Sequence, residues 1–373
     1  MPGPKIPERI RSLTPYKPGR PIEEVERELG ISGSIKVASN ENPLGPSPLA
    51  LAAISNALAG VHRYPDGGAV LLAEKLAAKL GVDPRRIIFG NGSNEILELV
   101  CRLLAGPGDE VLFSADAFLV YPLVSVAVGA TPIKAPPRGF EHDLDAVAER
   151  ITPRTRVVFL ANPNNPTGTI FRREEWERFL ALVPEDVALV LDEAYFEFVD
   201  DELYPSGMDY LDQHPGLVVT RTFSKIHGLA GLRIGYGVGS LEVVDGLARL
   251  RQPFNVNLLA QAGAMAALDD DAHVEASRGL VREGRERWAV ASARLGLEFV
   301  PSHANFILVR TGQGAAVTDA LLPLGVIVRP MDAYGFGDHV RVTFGTQAED
   351  ERTIAALTTV LEQRRERKEG EPG

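Results

Sequence analysis

The stretch that decides the fold runs from residue 156 to residue 195. It begins with the apolar run RVVFL (156–160), continues through the polar turn ANPNNPTG (161–168), and ends with ALVLDEAY (188–195). Between the two apolar runs, residues 173–182 carry apolar side chains at helical spacing. Two short apolar runs separated by a helix predict parallel strands joined by a crossover helix, which is the repeating unit of an α/β fold.

The same alternation extends outward in both directions. Because hairpin turns are lacking between the segments, the pattern predicts a mainly parallel sheet covered by helices on both faces. Further strands are predicted at 87–89, 110–113 and 217–220, and further helices at 69–80, 94–104 and 144–150.

From about residue 255 the pattern changes to that of a smaller α+β domain. Its predicted elements are long helices at 258–268 and 273–295 and strands at 305–309 and 339–344. We therefore predict two domains. The large domain covers residues 38–257, and the small domain combines a proline-rich arm, residues 1–37, with residues 258–373.

Composition excludes several classes of function. The chain has 373 residues and a formal net charge of −11, which argues against nucleic acid as the main partner. No apolar run is long enough to predict a membrane span. Cys101 is the single cysteine and lies on a predicted apolar helix face, so we expect a buried core residue in a cytoplasmic protein. The seven histidines show no metal-ligand spacing, and no metal site is expected.

Two glycine-rich segments have ambiguous patterns. GNGSNE (90–95) follows a predicted strand and opens a helix, where backbone N–H groups can receive a phosphate, although a plain turn and cap explain it equally well. It only half matches the dinucleotide fingerprint, because Glu95 replaces the third glycine. GYGVG (235–239) is better explained by glycines packed in a tight strand than by a nicotinamide site.

Three polar segments follow successive predicted strands, at the edge where ligands gather in open parallel sheets. They are NPNNPTG (162–168), DEAY (192–195), and TFSK (222–225), the last followed by GLR (231–233). Their order and spacing resemble the signature of the fold-type I enzymes that use pyridoxal 5'-phosphate (PLP), specifically the class I and II aminotransferases. The resemblance covers essentially the whole chain and implies an enzyme of that fold.

The resemblance implies a role for each matching residue. Lys225 would bind the cofactor's aldehyde and later move the substrate's α-proton, because this chemistry needs an amine. Asp192 would face the protonated ring nitrogen, since a carboxylate there favours the charged ring. Tyr195 and Asn165 would hydrogen-bond the ring oxygen. Phe118 falls where the family stacks an aromatic ring on the cofactor, although many relatives have tyrosine there.

The cofactor's phosphate would bind at a separate group of residues, again by resemblance. Ser224 and Arg233 match the family's phosphate ligands. Ser93 and Asn94 would add the N–H groups of a helix N-terminus, and this assigns the loop at 90–95 to phosphate binding.

A finer resemblance is to the histidinol-phosphate aminotransferase branch of the family. Its cues are PYKPG (15–19), NENP (40–43), HRYP (62–65), AFLVY (117–121), GVIVRP (325–330) and VRVTFGT (340–346). Aromatic amino-acid aminotransferases and threonine-phosphate decarboxylases share these cues and remain alternatives. A non-enzymatic PLP carrier is disfavoured because it would need neither Arg341 nor Asp192.

The finer resemblance also implies substrates and an assembly. The substrates would be a phosphorylated amino alcohol or amino acid, with 2-oxoglutarate and glutamate as the second pair. Arg341 would bind glutamate's α-carboxylate and the donor's phosphate, with Arg329 supplementing it. Tyr16 and Asn42 would be lesser donors. The protein would be a homodimer with shared active sites, in which Tyr64 reaches the partner subunit's cofactor phosphate.

Overall fold

The computed structural model describes residues 3–370, so the outermost ends of the predicted small domain, residues 1–2 and 371–373, lie outside the described part. The strands are β1 (Ile35–Lys36), β2 (Ile87–Gly90), β3 (Glu110–Ser114), β4 (Thr131–Ala135), β5 (Thr155–Ala161), β6 (Ala188–Asp192), β7 (Leu217–Thr222), β8 (Gly235–Val238), β9 (Phe299–Val300), β10 (Phe306–Arg310), β11 (Val326–Ile327), β12 (Arg329–Pro330) and β13 (His339–Thr343). The α-helices are α1 (Glu8–Arg11), α2 (Ile22–Leu29), α3 (Pro48–Ala57), α4 (Val70–Leu80), α5 (Ser93–Leu104), α6 (Val120–Val128), α7 (Leu144–Ala148), α8 (Arg173–Leu180), α9 (Leu241–Leu250), α10 (Leu258–Ala267), α11 (Asp271–Leu295), α12 (Gly314–Leu321) and α13 (Gln347–Gly370).

Seven strands form the large sheet, in the order β2-β8-β7-β6-β5-β3-β4. β8 runs antiparallel to both its neighbours, and the other neighbouring pairs are parallel. The predicted α/β class with a mainly parallel sheet is therefore confirmed. β4 was not among the predicted strands because it contains Pro132 and Lys134, which weaken the pattern and which an edge strand tolerates.

Helices cover both faces of the large sheet, as the continuous apolar runs predict. On β5, Val158 and Leu160 point to one face and pack in a cluster with Trp176 of α8. Val157 and Phe159 point to the other face and join a cluster built largely from α5, α6 and α9. Cys101 lies in that second cluster, which confirms its predicted core position.

A second, antiparallel sheet of order β12-β13-β10-β9 forms the smaller α+β layer with α11, α12 and α13. β1, from the N-terminal arm, pairs in parallel with β11, so the arm packs with the C-terminal part. α10 lies just beyond the predicted boundary at residue 257. Its buried residues Ala260 and Ala264 pack in the core of the large sheet, because the small apolar side chains of α10 allow close contact with α3.

Among the described helices, none combines the length and apolar character required to cross a membrane.

Candidate active site

A cavity of about 400 Å³ opens at the carboxyl ends of the large sheet's strands. It lies between that sheet and the second one, because Arg329 and Arg341 contribute to its wall. The structure brings the following predicted residues together around it: Tyr16, Ser93, Asn94, Phe118, Asn165, Asp192, Tyr195, Ser224, Lys225, Arg233, Arg329 and Arg341.

Lys225 lies in the loop after β7, and its Nζ donates a hydrogen bond to the Ser39 carbonyl oxygen at 3.1 Å. Burial lowers the pKa of Lys225 to about 7, with further contributions from the positive charges of Arg341 and Arg233. A large fraction of the amine is therefore uncharged near neutral pH. An uncharged amine is the nucleophilic form that attacks a carbonyl.

Asp192 is the last residue of β6, and only 6% of it is exposed. Its Oδ2 accepts a hydrogen bond from the Tyr121 hydroxyl at 3.0 Å, and Oδ1 accepts one from Thr220 Oγ1 at 3.3 Å. Burial raises the pKa of Asp192 to about 6. No ion pair among the side chains of residues 3–366 includes this carboxylate, so the wall of the cavity presents a buried acid that a cationic ligand group would match.

The start of α5 forms an anion cradle. Its N-cap is Gly92, at φ +81°, and no side chain caps the helix, so the first backbone N–H groups at Ser93 and Asn94 are available to a ligand. The Arg233 guanidinium lies directly against Gly92, where a side chain would collide with it. Arg233 Nη1 also donates to Ser224 Oγ at 3.4 Å. This combination is suited to a phosphate group.

Close packing behind the cradle explains the second glycine motif. Gly235 of β8 passes so near the backbone nitrogen of Ser93 that a Cβ would overlap it. The glycine of this segment at position 235 is therefore explained by close packing within a strand.

Arg341 projects from β13 into the opposite side of the cavity, with 6% of the residue exposed. Its Nη2 donates to the Ala38 carbonyl oxygen at 3.0 Å, Nη1 donates to Asn165 Oδ1, and Nε is buried with no partner. The guanidinium lies 5.1 Å from the ring centre of Phe306. In the described chain Arg341 makes no ion pair with a carboxylate, so a substrate anion can serve as its counter-charge.

Arg329 is half-buried on the same wall. Its Nη2 donates to the Lys17 carbonyl oxygen at 2.6 Å, and its guanidinium carbon lies 5.5 Å from the ring centre of Tyr16. Among the described residues Arg329 makes no ion pair with Asp332 or with any other carboxylate. Arg329 and Tyr16 therefore form one edge of the cavity together.

Tyr195 and Phe118 provide aromatic walls. The Tyr195 hydroxyl accepts a hydrogen bond from Asn40 Nδ2 at 2.8 Å, and burial raises its pKa above the usual value. Asn40 has φ +56°, an uncommon conformation that turns its side chain toward Tyr195. Phe118 meets Tyr121 edge to face, with ring centres 5.9 Å apart.

Two predicted residues lie outside the cavity wall. Asn42 donates from its side-chain amide to the Ile226 carbonyl oxygen and to Ser277 Oγ, each at 2.8 Å. Both of these contacts are within the chain, and the substrate role of Asn42 stays a prediction. Tyr64 is 81% exposed and stacks on Phe254, with ring centres 4.6 Å apart.

The structure also adds residues that sequence reasoning missed. Tyr121 and Thr220 hold Asp192, Asn40 holds Tyr195, and Glu41 lines the cavity rim. Asn40 and Glu41 belong to the NENP motif, and Tyr121 is three residues beyond Phe118. The only available signal was therefore their proximity to residues already selected.

Comparison with known proteins places this geometry in a family. Residues 32–357 match the family model "Aminotransferase class I and II". The chain belongs to this family. Its aminotransferase relatives include the histidinol-phosphate aminotransferase of Anaeromyxobacter sp. (strain Fw109-5), 52% identical over 363 residues, with 96% of this chain and 99% of that protein covered. Histidinol-phosphate aminotransferase 1 of Nitrosococcus oceani is 49% identical, with coverage of 95% and 96%.

Solved aminotransferase structures share the fold. The histidinol-phosphate aminotransferase of Sinorhizobium meliloti, in complex with pyridoxal-5'-phosphate, has a TM-score of 0.86 at 28% identity and covers 96% of this chain and 98% of that one. An aspartate aminotransferase of Thermus thermophilus, at 24% identity and a TM-score of 0.83, supports the fold alone. The predicted family and fold type are confirmed.

Proposed function

We propose that this chain transfers the amino group of L-histidinol phosphate to 2-oxoglutarate, giving imidazole acetol phosphate and L-glutamate, in histidine biosynthesis. The relatives from Anaeromyxobacter and Nitrosococcus are named histidinol-phosphate aminotransferases. Their sequences are 52% and 49% identical to this chain over nearly its full length, and this supports the proposed reaction. The observation that carries the proposal is the pair Arg329 and Arg341. Both line the cavity that contains Lys225, and neither makes an ion pair with a carboxylate of the described chain. Such a wall suits substrates with anionic groups.

PLP is the proposed cofactor, and the residues around the cavity fit its three polar parts. The buried Asp192 carboxylate makes no ion pair with any described residue and suits the ring nitrogen. The uncapped start of α5, with Ser224 and Arg233, suits the phosphate. Lys225 suits the aldehyde. Phe118 would contact the ring face, and Asn165 and Tyr195 its oxygen. When bound, PLP supplies an electron-accepting ring that makes the substrate's α-proton removable.

The chain's own residues would then perform the remaining steps. Lys225 would accept the substrate's α-proton and later give it back, and a lowered amine pKa near 7 suits both directions. Asp192 holds the positive ring nitrogen through its negative charge. Tyr195, kept protonated by burial, donates a hydrogen bond to the ring oxygen. Asp192 and Tyr195 are buried, and electrostatic interactions of buried groups are stronger than in water.

The two arginines would allow one cavity to bind both amino donors. Arg341 would bind the α-carboxylate of glutamate through its planar fork and, in the other half of the reaction, the phosphate of histidinol phosphate. Arg329 would supplement it on the phosphate or the distal carboxylate, with Tyr16 beside it. The role of Asn42 as a lesser donor stays a prediction, since both contacts of its amide are within the chain.

A homodimer is the proposed assembly, with Tyr64 of one protomer reaching the cofactor phosphate of its partner. Tyr64 lies in a region of exposed apolar side chains that includes Leu58, Val61 and Leu71. Exposed apolar surface of this kind is typical of protein interfaces. A cytoplasmic location is part of the same proposal.

The test is a transamination assay on the purified, PLP-loaded protein. L-histidinol phosphate and 2-oxoglutarate should give glutamate and imidazole acetol phosphate in equal amounts. Lys225→Ala should abolish turnover, whereas Lys134→Ala on the edge strand β4 should leave it unchanged. Borohydride reduction and peptide mapping should place the cofactor on Lys225. Absence of amino transfer, or a label on another lysine, would contradict the proposal.

A further inference from the structure

Tyr121 holds the buried carboxylate of Asp192 and is itself completely buried. Its hydroxyl donates to Asp192 Oδ2 at 3.0 Å, which is a good distance for a bond to a carboxylate. The second side-chain donor, Thr220 Oγ1, is farther from the carboxylate at 3.3 Å. Tyr121 is therefore the closer of the two side-chain donors.

The aromatic ring of Tyr121 is fixed by its neighbours. It stacks on Phe159 of β5 with ring centres 4.7 Å apart and planes 4° from parallel. Phe118 and Phe113 contact it from other directions, at 5.9 and 6.2 Å. Because the core packs against the ring on several sides, the hydroxyl cannot easily swing away from Asp192.

The hydroxyl also has a fixed chemical role. Burial and the Asp192 charge raise the pKa of Tyr121 well above its usual value, so the phenol remains protonated. It can therefore only donate to the carboxylate. Asp192 needs such a donor, because its burial favours the neutral acid, and the neutral acid cannot balance a positive ligand group.

We propose that Tyr121 is a positioning residue whose hydroxyl keeps Asp192 ionised and aimed at the ring nitrogen of the bound cofactor. This inference rests on the proposed function. It adds to that function a chain of contacts from Phe159 through Tyr121 to Asp192 and into the cavity. Without the hydroxyl, the proton shared between the ring nitrogen and Asp192 would move toward Asp192, because the carboxylate becomes a stronger base.

The experiment uses Tyr121→Phe, which removes only the hydroxyl, in enzyme loaded with PLP that carries ¹⁵N in its ring. The wild-type ¹⁵N NMR signal should be that of a protonated ring. In Tyr121→Phe the signal should move toward the neutral ring at the same pH, with PLP still bound. The kcat should fall about ten- to a hundredfold, as expected for a lost hydrogen bond to a charged group.

Tyr210→Phe is the matched control, because Tyr210 also donates to a carboxylate, Glu177, at 2.8 Å but lies outside the cavity wall. It should leave the ¹⁵N signal and kcat unchanged. Thr220→Val is a second variant that removes the longer bond, and it should give a smaller shift in the same direction.

Two results would overturn the inference. One is a Tyr121→Phe enzyme whose ¹⁵N signal equals that of wild type, even with a lowered melting temperature, since that is the behaviour of a purely structural residue. Another is a fully neutral ring in Thr220→Val, which would make Thr220 the main donor. A wild-type protein that fails to bind PLP would instead contradict the proposed function itself.

Discussion

Replacing Arg341 by alanine should lower kcat/KM for both L-histidinol phosphate and L-glutamate. The guanidinium is almost completely buried, keeps a free Nε, and makes no ion pair with a protein carboxylate in the described chain. Its charge is therefore available to substrate in a desolvated site. Loss of one partner from such a charge pair costs about 2 to 5 kcal/mol. At about 1.36 kcal/mol per factor of ten, kcat/KM should fall about thirtyfold to about five thousandfold.

Arg329→Ala provides an informative comparison, because Arg329 is half-buried and its interactions are more strongly screened by water. Its loss should be smaller, and it should reduce kcat/KM for histidinol phosphate more than for phenylalanine, which lacks a phosphate. Arg310→Ala is the control, since Arg310 forms an exposed ion pair with Glu298 away from the cavity.

The assay is steady-state kinetics with L-histidinol phosphate, L-glutamate and L-phenylalanine as amino donors, on variants checked for folding by circular dichroism. Arg341→Ala enzyme within threefold of wild type on both main donors would refute the argument from burial. If Arg329→Ala left histidinol phosphate turnover untouched, the phosphorylated donor would have to be abandoned in favour of an aromatic amino acid.

The remaining predictions concern the cofactor and the assembly. Asp192→Asn should lower kcat by several orders of magnitude while PLP stays bound, because Lys225 and the phosphate cradle hold it independently; near-normal kcat would refute the role of Asp192. The rate of PLP uptake by the cofactor-free protein should increase as pH rises through about 7 and then level off, since the attacking Lys225 amine loses its proton there. Stopped-flow absorbance measures this rate, and a rate that does not change with pH would contradict the prediction. Tyr64→Phe should weaken PLP binding without dissociating a dimer in sedimentation, whereas a fully active wild-type monomer would exclude site sharing.

Much of the fold was predictable, because parallel strands buried on both faces give short continuous apolar runs. The predicted strands at 156–160 and 188–191 correspond to β5 and β6. β5 is one residue longer at each end than predicted, and β6 is one residue longer at its C-terminal end. The association of α10 was not predictable from its own sequence. Its small apolar residues suit either layer, and only the three-dimensional packing against α3 decides between them.

The candidate site shows the same division between local and long-range information. The segments 192–195 and 222–225 were selected because each lies where a predicted strand ends, at the same sheet edge. The resemblance to class I and II aminotransferases then implied the roles of Asp192 and Lys225. The contact of the Asn42 amide with Ser277 on α11 was not predictable, because Ser277 lies far along the chain. Tyr121 was missed since nothing in the local sequence indicates which helix residue faces Asp192.

The most direct test of the central claim is a comparison of kcat/KM for four amino donors to 2-oxoglutarate: L-histidinol phosphate, phenylalanine, tyrosine and threonine phosphate. The proposed function predicts that histidinol phosphate exceeds each of the others by at least about tenfold, equivalent to about 1.4 kcal/mol of transition-state discrimination. A tenfold preference for phenylalanine or tyrosine, or release of carbon dioxide from threonine phosphate without amino transfer, would contradict it.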